Sequence, residues 1–250
     1  MRVITIIQAR LGSTRLPGKV LLDLAGEPML ARVVSRAARS RTIEQVVVAT
    51  TDRPADDRLA DFCLDRGIAC FRGSENDVLD RYYQAAVAHR AEAVVRVTSD
   101  CPLIDPGLID RVVGDFLAGQ PEIEYATNCY PRDTFPRGLD MEVLRMDVLR
   151  RAWQEDRNPA WREHVSPYIY HHPERFRIHG VMNDVDLSGM RWTVDTPEDL
   201  ELVRRVFVHF GHDRFDWTEV LALMAEHPEW AEVNRHVVQK CIPLAPREVG

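Results

Sequence analysis

Within its first hundred residues the chain alternates four short, nearly unbroken apolar runs with helical stripes, and few folds accept that alternation. The runs are Val3 to Ile7, Val46 to Thr50, Ile68 to Phe71 and Ala93 to Thr98. Apolar runs rich in β-branched residues read as strands covered on both faces, the condition of a parallel sheet. Between them, Leu30, Val33, Val34, Ala37 and Ala38 recur at i, i+3, i+4, i+7 and i+8, one face of a helix, with Arg32, Arg36 and Arg39 off it. Leu59, Phe62 and Cys63, then Leu79, Tyr82, Tyr83, Ala86 and Val87, repeat the stripe, and core packing accounts for both sets. Asp105-Pro106 starts a further helix, with an acid at the N-cap and proline at the first position. Strand, helix and strand in right-handed units predict an α/β fold with a doubly wound, mainly parallel sheet.

Ligands of such sheets sit beyond the carboxyl ends of the strands. The first run ends in Gln8-Ala9-Arg10-Leu11-Gly12-Ser13-Thr14-Arg15-Leu16-Pro17-Gly18-Lys19. Arg10, Arg15 and Lys19 bring three cations, Gly12 and Ser13 allow a close backbone approach, and successive N–H groups of such a turn form an anion nest. The loop is therefore a candidate phosphate cradle, with a solvated basic turn as the alternative. It is not a P-loop: five residues separate Gly12 from Gly18, and Val20 stands where a hydroxyl must follow the lysine. No Gly-x-Gly occurs anywhere, so the dinucleotide fingerprint is absent too.

Two acids stand at strand ends. Asp100 follows the fourth run in Ser99-Asp100-Cys101-Pro102-Leu103, and Asp195 closes Trp192-Thr193-Val194-Asp195, which reads as a last strand. One or two carboxylates together with substrate phosphates are what Mg²⁺ requires. Strand-end aspartates also serve as helix caps, a reading to which Asp195 is open because Thr196-Pro197-Glu198-Asp199 follows.

Past residue 120 the rhythm changes. Ile123 to Thr127, Leu139 to Val143 and Phe176 to Met182 read as strands and Trp153 to Tyr170 as a helix, so the region of about 120–190 is expected to be a small insertion or lid carrying acceptor specificity. Within Pro136-Arg137-Gly138-Leu139-Asp140-Met141-Glu142, Asp140 and Glu142 fall on one strand face, a pair suited to acceptor hydroxyls or to ordered water. Leu200, Val203, Phe207 and Phe210 form the inner face of the helix after Asp195. A helical tail over 213–250 opens with Asp216-x-x-Glu219, a capping box, and packs on the main domain or on a second subunit. No linker divides the chain, so residues 1–250 are expected to form a single domain.

The loop resembles the signature of sugar-activating nucleotidyltransferases, most of all the cytidylyltransferase family, which includes the synthetases of CMP-activated acidic sugars and the spore coat polysaccharide biosynthesis protein F group. Their first strand leads into a pattern like Ala-Arg-x-x-Ser-x-Arg-Leu-Pro-x-Lys, carried here by Ala9-Arg10, Ser13, Arg15-Leu16-Pro17 and Lys19. The family's magnesium aspartates, in patterns like Asp-x-Pro-Leu and Asp-x-Pro-Glu-Asp, match Asp100-Cys101-Pro102-Leu103 and Asp195-Thr196-Pro197-Glu198-Asp199. The resemblance implies a Rossmann-like sheet of the nucleotide-diphospho-sugar transferase type. It also implies Mg²⁺-dependent coupling of CTP to a sugar or a small phosphonate or phosphate acceptor, with release of pyrophosphate, in surface polysaccharide or related biosynthesis.

By the same resemblance Gln8, Ala9, Arg10, Gly12, Ser13, Arg15, Lys19, Arg72, Gly73, Ser74 and Asp100 hold the nucleotide, with Arg10, Arg15, Lys19 and Asp100 catalytic and Asp100 and Asp195 on the metal. For Arg72-Gly73-Ser74, expected near the base, an ordinary loop is the alternative. Arg137, Asp140, Glu142, Arg162 and His164 are assigned to the acceptor. Arg162-Glu163-His164 resembles a segment common in the spore coat group, and His164 is as readily a buried structural histidine as a functional one. A homodimer is implied as well.

Composition narrows the partners. A net charge of −7 argues against general nucleic-acid affinity, which needs a basic surface. The apolar runs are too short for a signal peptide or a membrane span. Cys63, Cys70, Cys101, Cys129 and Cys241 are scattered without a CxxC pair, so reduced thiols and a cytoplasmic location are expected. Two rivals remain. A nucleotide-sugar glycosyltransferase would carry Asp-x-Asp after a strand, where this chain has Ser-Asp-Cys-Pro. A non-catalytic nucleotide-binding descendant would lose the loop cations or the acids first, and all five stand.

Overall fold

The structure is a computed structural model that describes residues 1–239; Cys241 and the part of the expected tail beyond residue 239 lie outside the described residues. The strands are β1 (Val3–Gln8), β2 (Gln45–Thr51), β3 (Ala69–Gly73), β4 (Ala93–Thr98), β5 (Tyr125–Thr127), β6 (Glu142–Arg145) and β7 (Ile178–Gly180). They form one seven-stranded sheet in the order β3-β2-β1-β4-β6-β5-β7. The first four run parallel, β6 is antiparallel to both β4 and β5, and β7 is parallel to β5.

The helices are α1 (Met29–Ala37), α2 (Asp57–Asp65), α3 (Val78–Ala88), α4 (Pro106–Ala118), α5 (Met146–Glu155), α6 (Pro159–Arg162), α7 (Pro167–Tyr170), α8 (Pro197–Phe210) and α9 (Trp217–Glu226). Alternation along each strand feeds two cores. Val3, Ile7, Val48, Val95 and Val97 pack with α1, α4 and α8 on one face, while Ile4, Ile6, Val47, Ala49 and Val94 pack with α3 and α5 on the other. Ile4, Ile6 and Ile7 are fully buried, each contributing about 1.5–3 kcal/mol of apolar transfer. The doubly wound α/β sheet expected from the sequence is the observed one. Among the described residues no helix is long and apolar enough to cross a membrane, and Cys63, Cys70, Cys101 and Cys129 are free thiols.

The 120–190 region supplies β5, β6 and β7 to the same sheet, and several local expectations change. The helix expected over Trp153 to Tyr170 is three pieces, because the Asn158 side chain caps a new start by accepting from Ala160 N (3.0 Å) and Pro159 and Pro167 occupy first turns. Leu139 to Met141 is not strand: the Asn128 side chain donates to Leu139 O and accepts from Met141 N (both 2.9 Å), replacing the ladder. Asp140 therefore precedes β6, and only Glu142 lies in it.

The last strand expected at Trp192 to Asp195 is likewise a string of single bonds, with Trp192 N donating to Arg137 O (2.7 Å) and Val194 N to Asp100 O (2.8 Å). Arg36, expected off the apolar stripe of α1, is fully buried. Its guanidinium donates to Ile104 O, Asp213 O and Phe215 O, tying α1 to the segment before α4 and to the chain entering α9.

Candidate active site

The carboxyl ends of β1 and β4 open onto a cleft of about 250 Å³. Gln8, Ala9, Arg10, Gly12, Ser13, Arg15 and Lys19 line one side of it, and Asp100 and Asp195 line the floor. The loop is rigidly built. Leu11 N donates to Asp56 Oδ1 (2.7 Å), Ser13 N and Gly18 N to Leu11 O (2.9 and 3.0 Å), and Leu16 N to Ser13 Oγ (3.3 Å). Gly18 adopts φ 66°, the left-handed conformation that a side chain penalises, and the short 3₁₀ turn Lys19–Leu21 starts from it. A Cβ on Gly12 would meet open space, so the backbone there faces the cleft without obstruction.

Lys19 joins the two acids. Its Nζ donates to Asp100 Oδ2 (2.8 Å), Asp195 Oδ1 (2.9 Å) and Val194 O (2.8 Å), which uses all three ammonium N–H groups. Burial opposes the charge of Lys19, but Asp100 and Asp195 outweigh it and hold its pKa above the ordinary value. Asp195 shows the complement: burial would raise its carboxyl, and Lys19, Arg191 and Arg15 overcome this to hold it below the usual range. Arg15 reaches Asp195 Oδ2 at 2.9 Å. Thr98 Oγ1 bonds the other oxygen of Asp100 (2.5 Å). Sequence positions 19, 100 and 195 thus converge on one point.

Other expected residues scatter. Arg72, Gly73 and Ser74 do not line the cleft: Arg72 pairs with Asp57 (2.7 Å) and donates to Thr51 O and Arg53 O, while Gly73 ends β3. Their link to the cleft is Arg81, which donates to Ser74 O and lines the cleft itself. Arg81 is 2 % exposed and its Nε–H has no hydrogen-bond partner, so a buried donor stands next to the loop. Burial holds its guanidinium below the ordinary value. The sequence hid Arg81 among the core positions of α3, and only the orphaned donor distinguishes it.

His164 lines the cleft beside Glu163, and Glu163 faces Arg10 across it at 3.6 Å. Burial first, then the Arg96 guanidinium, hold His164 below its ordinary value, which makes it a neutral imidazole at neutral pH. Val165, just beyond, is fully buried at φ 73°, a strained conformation for a β-branched residue. Arg162 points away, bonding Asp77 and the carbonyls of Trp153 and Asp156 (2.8–2.9 Å), so it staples α6 to the start of α3. Arg137 pairs with Asp133 (3.2 Å), and Glu142 with Arg96 (2.9 Å). Asp140 accepts from Gly138 N (3.2 Å), and burial pushes its carboxyl up to about 6. None of these four lines the cleft.

Among the described residues no group of three or more carboxylate, imidazole or thiol side chains forms a metal cage of its own. Asp100 and Asp195 are two carboxylates already sharing one cation, the Lys19 ammonium, which fits a cation that completes its shell with substrate oxygens and water.

The chain is similar over most of its length to known proteins. A family model described as Cytidylyltransferase matches residues 4–223. The spore coat polysaccharide biosynthesis protein SpsF of Bacillus subtilis is 33% identical over 241 residues, covering 92% of this chain and 96% of that one. A 3-deoxy-manno-octulosonate cytidylyltransferase of Anaeromyxobacter dehalogenans is 45% identical over 120 residues, 47% of this chain and 48% of that one. The solved structure of a cytidylyltransferase from Leptospira borgpetersenii superposes with a TM-score of 0.89 at 36% identity, covering 96% of this chain and all of that one (100%).

Proposed function

The chain belongs to the cytidylyltransferase family, and from that premise we propose that it transfers the cytidylyl group of CTP to a small acceptor, a sugar or a phosphonate or phosphate, in surface polysaccharide or related biosynthesis. The observation that carries this reading is the meeting of Lys19, Asp100 and Asp195 beside a loop bearing Arg10 and Arg15. In the reaction an acceptor oxygen attacks the α-phosphorus in line, any hydroxyl proton is lost to solvent, and the α–β bridging P–O bond breaks to release pyrophosphate. Asp100 and Asp195 would hold Mg²⁺, which supplies neutralisation of the phosphate charge and polarisation of an α-phosphate oxygen.

The chain's own residues supply the rest. Arg10, Arg15 and the backbone of Gly12 and Ser13 bind the phosphates and offset the charge that develops on the leaving group. Lys19 exchanges one of its carboxylate bonds for a phosphate oxygen, a short move because its charge is already there. Arg81 offers its unpaired Nε–H to an acceptor atom of the nucleotide. Glu163 and neutral His164, on the opposite side of the cleft, face the acceptor and orient it. The same reading carries a cytoplasmic site of action and a homodimer.

Thermal unfolding with Mg²⁺ and each of CTP, UTP, GTP, ATP and dTTP tests it. A ligand at a hundred times its Kd adds about 2.7 kcal/mol, a rise of several degrees in midpoint. The expected pattern is a shift with CTP alone that disappears when the metal is removed. Pyrophosphate release with CTP and candidate acceptors then follows, and Asp100→Asn is expected to lower it by about 100-fold or more while leaving the unfolding midpoint without ligand near that of the parent. Full activity of Asp100→Asn defeats the assignment.

A further inference from the structure

The carboxylate of Asp195 is gripped from two sides, and the two grips differ in kind. Its Oδ1 accepts from Lys19 Nζ, which also bonds Asp100, so this oxygen is turned toward the other acid. Its Oδ2 accepts from Arg191 at 2.8 Å and pairs with Arg15 at 2.9 Å. Lys19 and Arg15 belong to the nucleotide loop and must serve the phosphates. Arg191 has no such freedom. Its Nε and a terminal nitrogen hold both oxygens of Asp199 at 2.8 and 2.9 Å, and Asp199 is fully buried.

Asp199 is fixed in turn. It accepts from Asp195 N (2.9 Å) and Thr196 N (3.1 Å), closing the first turn of α8, and from Asn234 Nδ2 (2.9 Å). Asn234, also buried, donates its second N–H to Arg191 O (2.9 Å). Arg191 is therefore clamped at both its backbone and its side chain, and one terminal nitrogen of its guanidinium bridges Asp195 and Asp199.

We propose that Arg191 is a positioning residue that occupies Oδ2 of Asp195, keeping Oδ1 directed at Asp100 as the single oxygen this acid offers to a divalent cation when the loop cations turn to the nucleotide. The inference rests on the metal reading given above. A planar fork is required for the task, because only a guanidinium reaches the two oxygens of Asp199 and one of Asp195 together. Without it Asp195 is free to rotate, to present both oxygens or to follow Arg15. Partners of this kind govern metal affinity without touching the ion.

The experiment measures Mn²⁺ binding by electron paramagnetic resonance at saturating CTP, alongside binding of CTP without metal and the thermal midpoint. Two variants are compared with the parent: Arg191→Lys, which keeps the charge but loses the fork, and Arg191→Met combined with Asp199→Asn, which leaves no buried charge unpaired if the first variant fails to fold. Mn²⁺ affinity is expected to fall about 10–100-fold, with metal-free CTP binding within about twofold of the parent. A lowered midpoint with unchanged Mn²⁺ affinity assigns Arg191 a purely structural part and overturns the proposal alone. Absence of CTP-dependent Mn²⁺ binding in the parent overturns the metal reading, and this inference with it.

Discussion

Lys19 spends all its donors inside the protein, and that sets how the cleft responds to a ligand. Two aspartates meeting in a half-buried cleft repel each other, and the ammonium makes their approach tolerable before any substrate arrives. Asp140 is relieved less: burial outweighs the nearby Arg137 guanidinium and the bond from Gly138 N and raises its carboxyl from the ordinary 3.8 to about 6. A carboxyl raised on folding costs nothing where both states are protonated. Stability then falls as pH climbs from about 4 to about 6, because the unfolded chain gives up its proton first. Asp140→Asn is accordingly expected to stabilise the protein by about 1–3 kcal/mol at pH 8 and hardly at all at pH 4, read from the thermal midpoint at each pH. At this scale the sequence was legible where residue type and motif coincide, as at Lys19, Asp100 and Asp195. It was silent on Arg81 and Arg36, because a cation off a helical stripe reads as solvated and only the packed neighbours reveal its burial.

Elements place these residues, and the turn at Gly138 is the most exacting of them. Gly138 sits at φ 105°, and a Cβ there would come within 2.6 Å of Thr193 N and 2.7 Å of the Trp192 carbonyl carbon. The backbone of one segment thus packs directly on the backbone that delivers Asp195. Gly138→Ala is expected to cost about 3 kcal/mol or more in urea unfolding, through both the positive φ and the contact, and to lower turnover further by displacing Asp195. Regular periodicity made β1, β2, β4 and α8 readable to within a residue or so. The 120–195 stretch resisted because its elements, α5 apart, are three or four residues long and are fixed by side chains such as Asn128 and Asn158. The prolines at 159 and 167 did mark the breaks, but the apolar residues around them also suit one long helix.

For the molecule as a whole, Arg36 does what no local pattern announces. Its guanidinium collects carbonyls from two segments far apart in the chain, Ile104 on one side and Asp213 and Phe215 on the other, with Asp105 at 3.9 Å and the Phe215 ring beneath it at 4.4 Å. Burial lowers its pKa to about 10, still charged at any ordinary pH. Arg36→Met is expected to cost about 3–5 kcal/mol in chemical denaturation, since it strands the Asp105 carboxylate and three carbonyls. The overall sheet was legible because four parallel units announce themselves early; that β6 would enter antiparallel beside β4 was not, since register between distant segments leaves no local mark. The bond from Val194 N to Asp100 O, and the acid beside it, join segments made at very different times. On the ribosome the basic loop and the first acid exist long before the second. In a chain stopped short of residue 195 Lys19 has Asp100 as its one acid partner, so the meeting of the three side chains is completed only late in synthesis.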